Sequence, residues 1–176
     1  MGTGEHAGDR REEVPAHVAL GANLGAAQET LRVAITSVAS LPATRLIRRS
    51  SLYRTEAVLG PGEAAGASPQ PDYINAVVEI ATRLSAPALL AELQRLEDAA
   101  GRQRPYPNAP RTLDLDILLY GSARVMSERL TIPHARMMDR AFVLVPLAEI
   151  APGLVSSGQL EAVADQAISR LDSPPI

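Results

Sequence analysis

Two hydrophobic periods, helical and alternating, succeed one another along the chain, and their order sets the expected fold. Residues 17–21 (HVALG) form a short apolar strand. It opens into Gly21-Ala22-Asn23-Leu24-Gly25, a tight strand-to-helix turn with Asn23 as candidate cap. Over residues 26–41, Leu31, Ala34, Ile35, Val38 and Leu41 recur at helical spacing, and Pro42 ends that helix. Residues 44–55 (TRLIRRSSLYRT) read as one strand, with Arg45, Arg48 and Arg49 in solvent. Residues 57–71 are loop by composition, either a binding lid or a floppy insertion.

Residues 72–82 (DYINAVVEIAT) form a strand. Tyr73, Asn75, Val77 and Glu79 share one face; Ile74, Ala76, Val78 and Ile80 share the other. Ser85 caps a second helix with Pro87 in its first turn, and Gly101 stops it. Leu89, Leu93 and Leu96 make its buried stripe, and Gln94 and Glu97 share a face. Residues 113–120 are an apolar strand, Gly121-Ser122 turns the chain, and residues 125–133 (VMSERLTIP) return as the second strand of a hairpin. Residues 137–150 are mainly helical but broken around Pro146, and residues 159–171 form a further amphipathic helix. The order β-α-β-β-α-β predicts an α+β, ferredoxin-like sandwich, with helices on one face of an antiparallel sheet and a C-terminal helical extension.

Composition narrows the function. The chain has 176 residues, room for one domain, expected over residues 16–172. Residues 1–15 are polar, lack an apolar signal region and read as a disordered leader, so a cytoplasmic location is expected. A net charge of −3 and one Phe with four Tyr do not make a nucleic-acid surface. No apolar run reaches membrane-spanning length. The absence of cysteine excludes disulfides and thiolate metal sites, and His6, His17 and His134 are too scattered for a zinc centre.

The chemistry concentrates in residues 101–120, GRQRPYPNAPRTLDLDILLY. On a strand, Asp114 and Asp116 project together, roughly 7 Å apart, while Leu113, Leu115, Ile117 and Leu119 point into a core. Two carboxylates on a greasy strand need a cation, and a hard divalent ion shared with substrate phosphates meets that need. Arg102, Arg104 and Arg111 offer guanidinium forks to the same phosphates. Alone, the D-x-D pair is also compatible with a solvated face or an ion pair to Arg111. Tyr73 beside Asn75 fits recognition of a flat polar ring, or a purely structural role.

These residues resemble a known family. PRTLDLDILLYG (residues 110–121) is similar to the signature of 6-hydroxymethyl-7,8-dihydropterin pyrophosphokinases. ALGANLG, LYRT, QPDYINAVVEI, LQRLEDAAGRQR, RLTIPH and FVLVPLAEIAP resemble that family's other blocks in the family's order, over about residues 17–155. The resemblance implies transfer of the β,γ-diphosphate of ATP to the pterin hydroxymethyl group, releasing AMP, in folate biosynthesis. It implies two Mg²⁺ ions on Asp114 and Asp116, and Arg102, Arg104 and Arg111 as the phosphate-clamping catalytic residues. ATP would meet Leu90, Gln94, Glu97, Ile117, Arg129, Thr131, His134 and Arg140. The pterin would stack between Tyr73 and Phe142 and meet Thr55, Asn75 and Asp114. Partners would be these small molecules, with no nucleic acid and no membrane, and the chain a monomer. The chain departs from the family in three places: no tryptophan in the arginine loop, where Tyr106 and Asn108 stand; Ala135 after His134; and Glu56-Ala57-Val58 after Thr55. Altered loop closure and ring packing are the expected consequences. Two competing readings are another Mg²⁺-dependent phosphoryl or nucleotidyl transferase on the same scaffold, and a non-catalytic ferredoxin-like binding module.

Overall fold

The computed structural model describes residues 11–56, 71–101 and 113–171. Strand β1 (Val14–Ala22) leads through helix α1 (Ala27–Ala39) to strands β2 (Thr44–Arg49) and β3 (Tyr53–Thr55). Strand β4 (Tyr73–Thr82), helix α2 (Ala86–Ala99) and strand β5 (Asp114–Tyr120) complete the first half. β1 lies between β4 and β5, and β2 and β3 share the far side of β4, all antiparallel. That is the expected ferredoxin-like arrangement. It then continues with strands β6 (Val125–Met126) and β7 (Thr131–Ile132), helices α3 (Ala141–Ile150) and α4 (Ser157–Ala162), and strand β8 (Ser169–Arg170) on β3.

Alternation along the strands divides the side chains between two cores. Val18, Leu20, Ile74, Ala76, Val78, Ile80, Leu113, Leu115 and Ile117 meet Leu31, Ile35, Val38, Leu89 and Leu93 of α1 and α2. Val77 and Leu118 on the opposite face meet Leu144, Leu147 and Ile150 of α3. The second face is therefore covered too, by the C-terminal part of the chain, where helices on one face were expected. Ser85 caps α2 as expected, its hydroxyl accepting from Ala88 N at 3.2 Å.

Several expectations are corrected. Leu119 does not join Leu113, Leu115 and Ile117. The β1–β5 register shifts between His17 and Val18, a bulge that turns Leu119 to the α3 side. Residues 44–55 make two strands, because the chain breaks at residues 50–52 between its two pairings with β4. β1 begins at Val14, inside the expected leader, and Glu13 just before it pairs with Arg45 at 2.9 Å. Arg48 is not simply solvated, since it donates to Ile150 O at 2.9 Å. Asn23 does not cap α1; the capping position is Ala26, and buried Asn23 instead donates to Pro71 O at 3.5 Å. Residues 125–133 do not pair with β5 as a return strand. β6 and β7 pair with each other as a separate small hairpin. α3 runs unbroken through Pro146, and the break in that region comes earlier, where Arg140 separates a 3-10 turn (Met137–Asp139) from α3. Residues 159–171 are not one helix, for α4 ends at Ala162 and β8 follows.

Candidate active site

The candidate site lies at the Gly21 end of the second sheet face, beyond the strand residues that pack in the α3-side core. Its floor is the central strand β1, which presents Ala19 and Gly21 there. Across the ladder, Gly21 is flanked by Asn75 on β4 and Asp114 on β5, and Ala19 by Val77 and Asp116. Two strand spacings separate Asn75 from Asp114, about 10 Å. Gly21 places no side chain in that interval, where a Cβ would stand 3.5 Å from Asn75 Oδ1. Asn75 is 3 % exposed and donates its Nδ2 to Thr55 Oγ1 at 3.0 Å, which fixes its Oδ1 over the floor. Tyr73 lies two residues back on the same face, directly opposite Thr55.

Helix α3 crosses above this face. Its C-terminal end is tied to β3: Glu149 accepts from Ser51 N at 3.0 Å, Ser51 Oγ at 2.7 Å and Tyr53 Oη at 2.5 Å. Burial would raise the Glu149 pKa, but the hydrogen bonds from Tyr53 and Ser51 outweigh it and hold the carboxyl below its ordinary value. Burial and the Glu149 carboxylate together push the Tyr53 phenol well up. From Glu149 to Arg140 the helix spans about 13 Å at ~1.5 Å per residue. The helix packs mainly on β4, and Arg140 stands just before its N-terminus. Arg140 is half-buried there with its guanidinium 5.3 Å from the centroid of the Phe142 ring. Burial first, and Arg136 second, lower its pKa, while Asp116, Asp114 and Asp139 oppose them. Arg140 thus lies within electrostatic reach of both site carboxylates.

The free edge of β5 forms the other half. Buried Glu97 of α2 accepts from Leu115 N at 3.2 Å, and Leu118 O accepts from His134 N at 3.0 Å. α2 and the segment after β7 therefore flank that edge. Leu90, Gln94 and Glu97 fall on one stripe of α2, from half-buried through exposed to buried. Thr131 sits half-buried on β7, and Arg129 is exposed on the β6–β7 hairpin. His134 Nδ1 accepts from Arg136 N at 3.2 Å. Ile117 is 3 % exposed and belongs to the helix-side core beneath the edge. Arg102, Arg104 and Arg111, and the expected loop at 57–70, lie outside the described residues.

Asp114 and Asp116 are half-buried on β5 with only oxygen donors to offer. Among the described residues no group of three or more His, Asp or Glu gathers to hold a metal. A pair of hard carboxylates suits Mg²⁺ carried with substrate phosphates, because that ion keeps much of its shell from phosphate oxygens and water. Gly21 and Ala19 as a floor, and the Glu149 anchor, are features that sequence reasoning missed. Both depend on which residues stand opposite one another across strands or layers. The HVALGANLG pattern alone carried no such information.

A ferredoxin-like sheet that carries paired carboxylates, with an arginine electrostatically coupled to them, fits the class of phosphoryl-transfer enzymes. The model of the family described as 7,8-dihydro-6-hydroxymethylpterin-pyrophosphokinase (HPPK) matches residues 17–152. The chain is 49 % identical over 142 residues to the 2-amino-4-hydroxy-6-hydroxymethyldihydropteridine pyrophosphokinase of Haemophilus influenzae, covering 81 % of this chain and 84 % of that one. The protein of the same description from Methylorubrum extorquens is 40 % identical over 157 residues, covering 89 % and 93 %. In fold, the chain is similar to a crystal structure of HPPK-DHPS in complex with substrates, with TM-score 0.62 and 12 % identity. That match covers 80 % of this chain and 40 % of the other. Plasmodium falciparum HPPK-DHPS with pterin and p-hydroxybenzoate gives TM-score 0.60 at 13 % identity, covering 82 % and 40 %. The chain spans about two fifths of these solved chains, and at such identities they speak for the fold alone. The chain belongs to the 7,8-dihydro-6-hydroxymethylpterin-pyrophosphokinase family, and it performs the pyrophosphokinase step of folate biosynthesis with ATP as co-substrate.

Proposed function

We propose that the two halves of the site divide the two substrates, with the reaction at the carboxylates between them. The nucleotide follows the free edge of β5, with Leu90, Gln94 and Glu97 on one side and Arg129, Thr131, His134 and Arg140 on the other, over Ile117. The pterin of 6-hydroxymethyl-7,8-dihydropterin stands on the Gly21 floor between the rings of Tyr73 and Phe142, its edge read by Asn75, Thr55 and Asp114. Its hydroxymethyl oxygen attacks the β-phosphorus of ATP. The bond from that phosphorus to the α,β-bridging oxygen breaks, and AMP leaves. Asp114 and Asp116 would hold Mg²⁺, with two ions expected, and such ions would supply neutralising charge to the triphosphate. Arg102, Arg104 and Arg111 complete the clamp on the phosphates. No protein nucleophile takes part.

The observation that supports this reading best is the row Asn75–Gly21–Asp114, which sets a ring-reading amide and a metal-ready carboxylate on either side of an open floor. No helix among the described residues is long and apolar enough to cross a membrane. We place the enzyme in the cytoplasm as a monomer acting on small molecules. The test is AMP release from ATP and Mg²⁺, with and without the pterin, in wild type and Asp114→Ala. Pterin-dependent AMP that vanishes in the variant is expected. ADP as the nucleotide product, or undiminished AMP from the variant, overturns it.

A further inference from the structure

The stretch that carries Arg140 is held by a residue far along the chain. Gln166 lies between α4 and β8, beyond the residues matched by the family model. Its side-chain amide makes two hydrogen bonds: Oε1 accepts from Ala141 N at 2.9 Å, and Nε2 donates to Asp139 O at 2.8 Å. These two backbone groups belong to the residues immediately before and after Arg140. One amide therefore brackets the Arg140 backbone from both sides.

The bracket falls where the local structure leaves freedom. Arg140 is in extended conformation (φ −128°, ψ 119°) between the 3-10 turn at Met137–Asp139 and α3. No side chain within the local sequence caps α3. The first N–H groups of a helix have no intrahelical acceptor, and Gln166 supplies one of them from a distance. Arg140 lies in reach of Asp116 and Asp114 and over the Phe142 ring. Its direction decides whether the guanidinium meets a triphosphate held at those carboxylates. A swing of the 139–141 backbone would move the guanidinium and the Phe142 ring together.

We propose that Gln166 is a positioning residue for the nucleotide, acting through Arg140, so that the C-terminal segment contributes to the site without touching substrate. The proposal rests on Arg140 as a triphosphate ligand, and the experiment separates the two ideas. Affinity for α,β-methylene-ATP with Mg²⁺ is measured by calorimetry in four proteins: wild type, Arg140→Ala, Gln166→Met and the double variant. Gln166→Met keeps the length and stem of the side chain and removes both hydrogen-bonding groups. Its affinity is expected to fall about tenfold, with a smaller fall in Gln166→Glu, which keeps the acceptor for Ala141 N. In the Arg140→Ala background the same substitution is expected to cost less than about twofold. A merely structural role would lower the melting temperature and act equally in both backgrounds. Wild-type affinity in Gln166→Met, or full additivity with Arg140→Ala, overturns the proposal. Wild-type affinity in Arg140→Ala instead overturns the reading of Arg140 itself.

Discussion

Gly21 separates stability from function more cleanly than any other position in the site. Replacing it by alanine places one methyl group on the floor between Asn75 and Asp114. The backbone accepts this, since Gly21 is not among the glycines of positive φ and its new Cβ would stand 3.5 Å from Asn75 Oδ1, ordinary van der Waals contact. Losing a glycine from the unfolded chain then stabilises the fold by about 0.4–1 kcal/mol. For a chain of this size that is a rise of about 1–4 °C in melting temperature. Ligand binding moves the other way. A methyl group inserted into a filled space costs about 1–3 kcal/mol, on the order of a tenfold to hundredfold loss of pterin affinity. The assay is calorimetric titration of the pterin with α,β-methylene-ATP and Mg²⁺ present, beside a thermal melt of the free protein. Affinity for the ATP analogue alone serves as control and is expected to change less than about twofold, because the path proposed for the nucleotide follows the β5 edge. Pterin affinity within about twofold of wild type, in a protein that melts no lower, would refute the Asn75–Gly21–Asp114 row as the floor.

Two further outcomes concern the scaffold. His17 is 6 % exposed, neither ring nitrogen has a hydrogen-bond partner among the described residues, and Glu79 stands 4.0 Å away. Burial lowers its pKa against the opposing pull of Glu79. Below about pH 6.5 the unfolded chain takes up a proton that the folded chain refuses, so stability falls as the pH drops from 7 towards 5. His17→Leu should raise the melting temperature at pH 8, and by more at pH 5.5; equal gains at both would count against a buried neutral imidazole. Glu149→Ala leaves Ser51 and Tyr53 without their acceptor and should cost about 2 kcal/mol, a fall of about 4–8 °C near pH 7. The Glu149 carboxyl is held below its ordinary value, so this difference should be full above about pH 5 and shrink as the pH falls through the folded-state pKa. A difference that stays constant down to pH 3 would remove the charge from that explanation.

Residues whose role follows from periodicity are legible in the sequence, and residues whose role follows from register or layering are not. The two faces of β4, the stripe of α2 and the common side of Asp114 and Asp116 all follow from counting along one element, and the structure keeps them. Leu119 escapes that counting because a bulge resets β5 against its neighbour, and a bulge is a property of two strands. Pro146 misleads in the opposite way. It removes a donor inside α3, but a helix as apolar as AFVLVPLAEI is held by burial on several sides, and packing overrides the local penalty. Residues 159–171 have a helical stripe, yet Ile168 is drawn to the α3-side core and Ser169 and Arg170 to the open edge of β3, so tertiary pairing takes the end of that segment from the helix. The site divides along the same line. Of its proposed residues, Asp114, Asp116, Tyr73 and Asn75 stand out as polar or aromatic residues in otherwise apolar strands, whereas Phe142 in apolar α3 is marked by the family resemblance. Gly21 is one glycine among 12, and nothing local marks it as a floor. Only the ladder, which sets Asn75 on one side of it and Asp114 on the other, gives it that role. The sequence therefore marks the candidate chemistry, and the pairing of strands sets the distances between the residues that carry it.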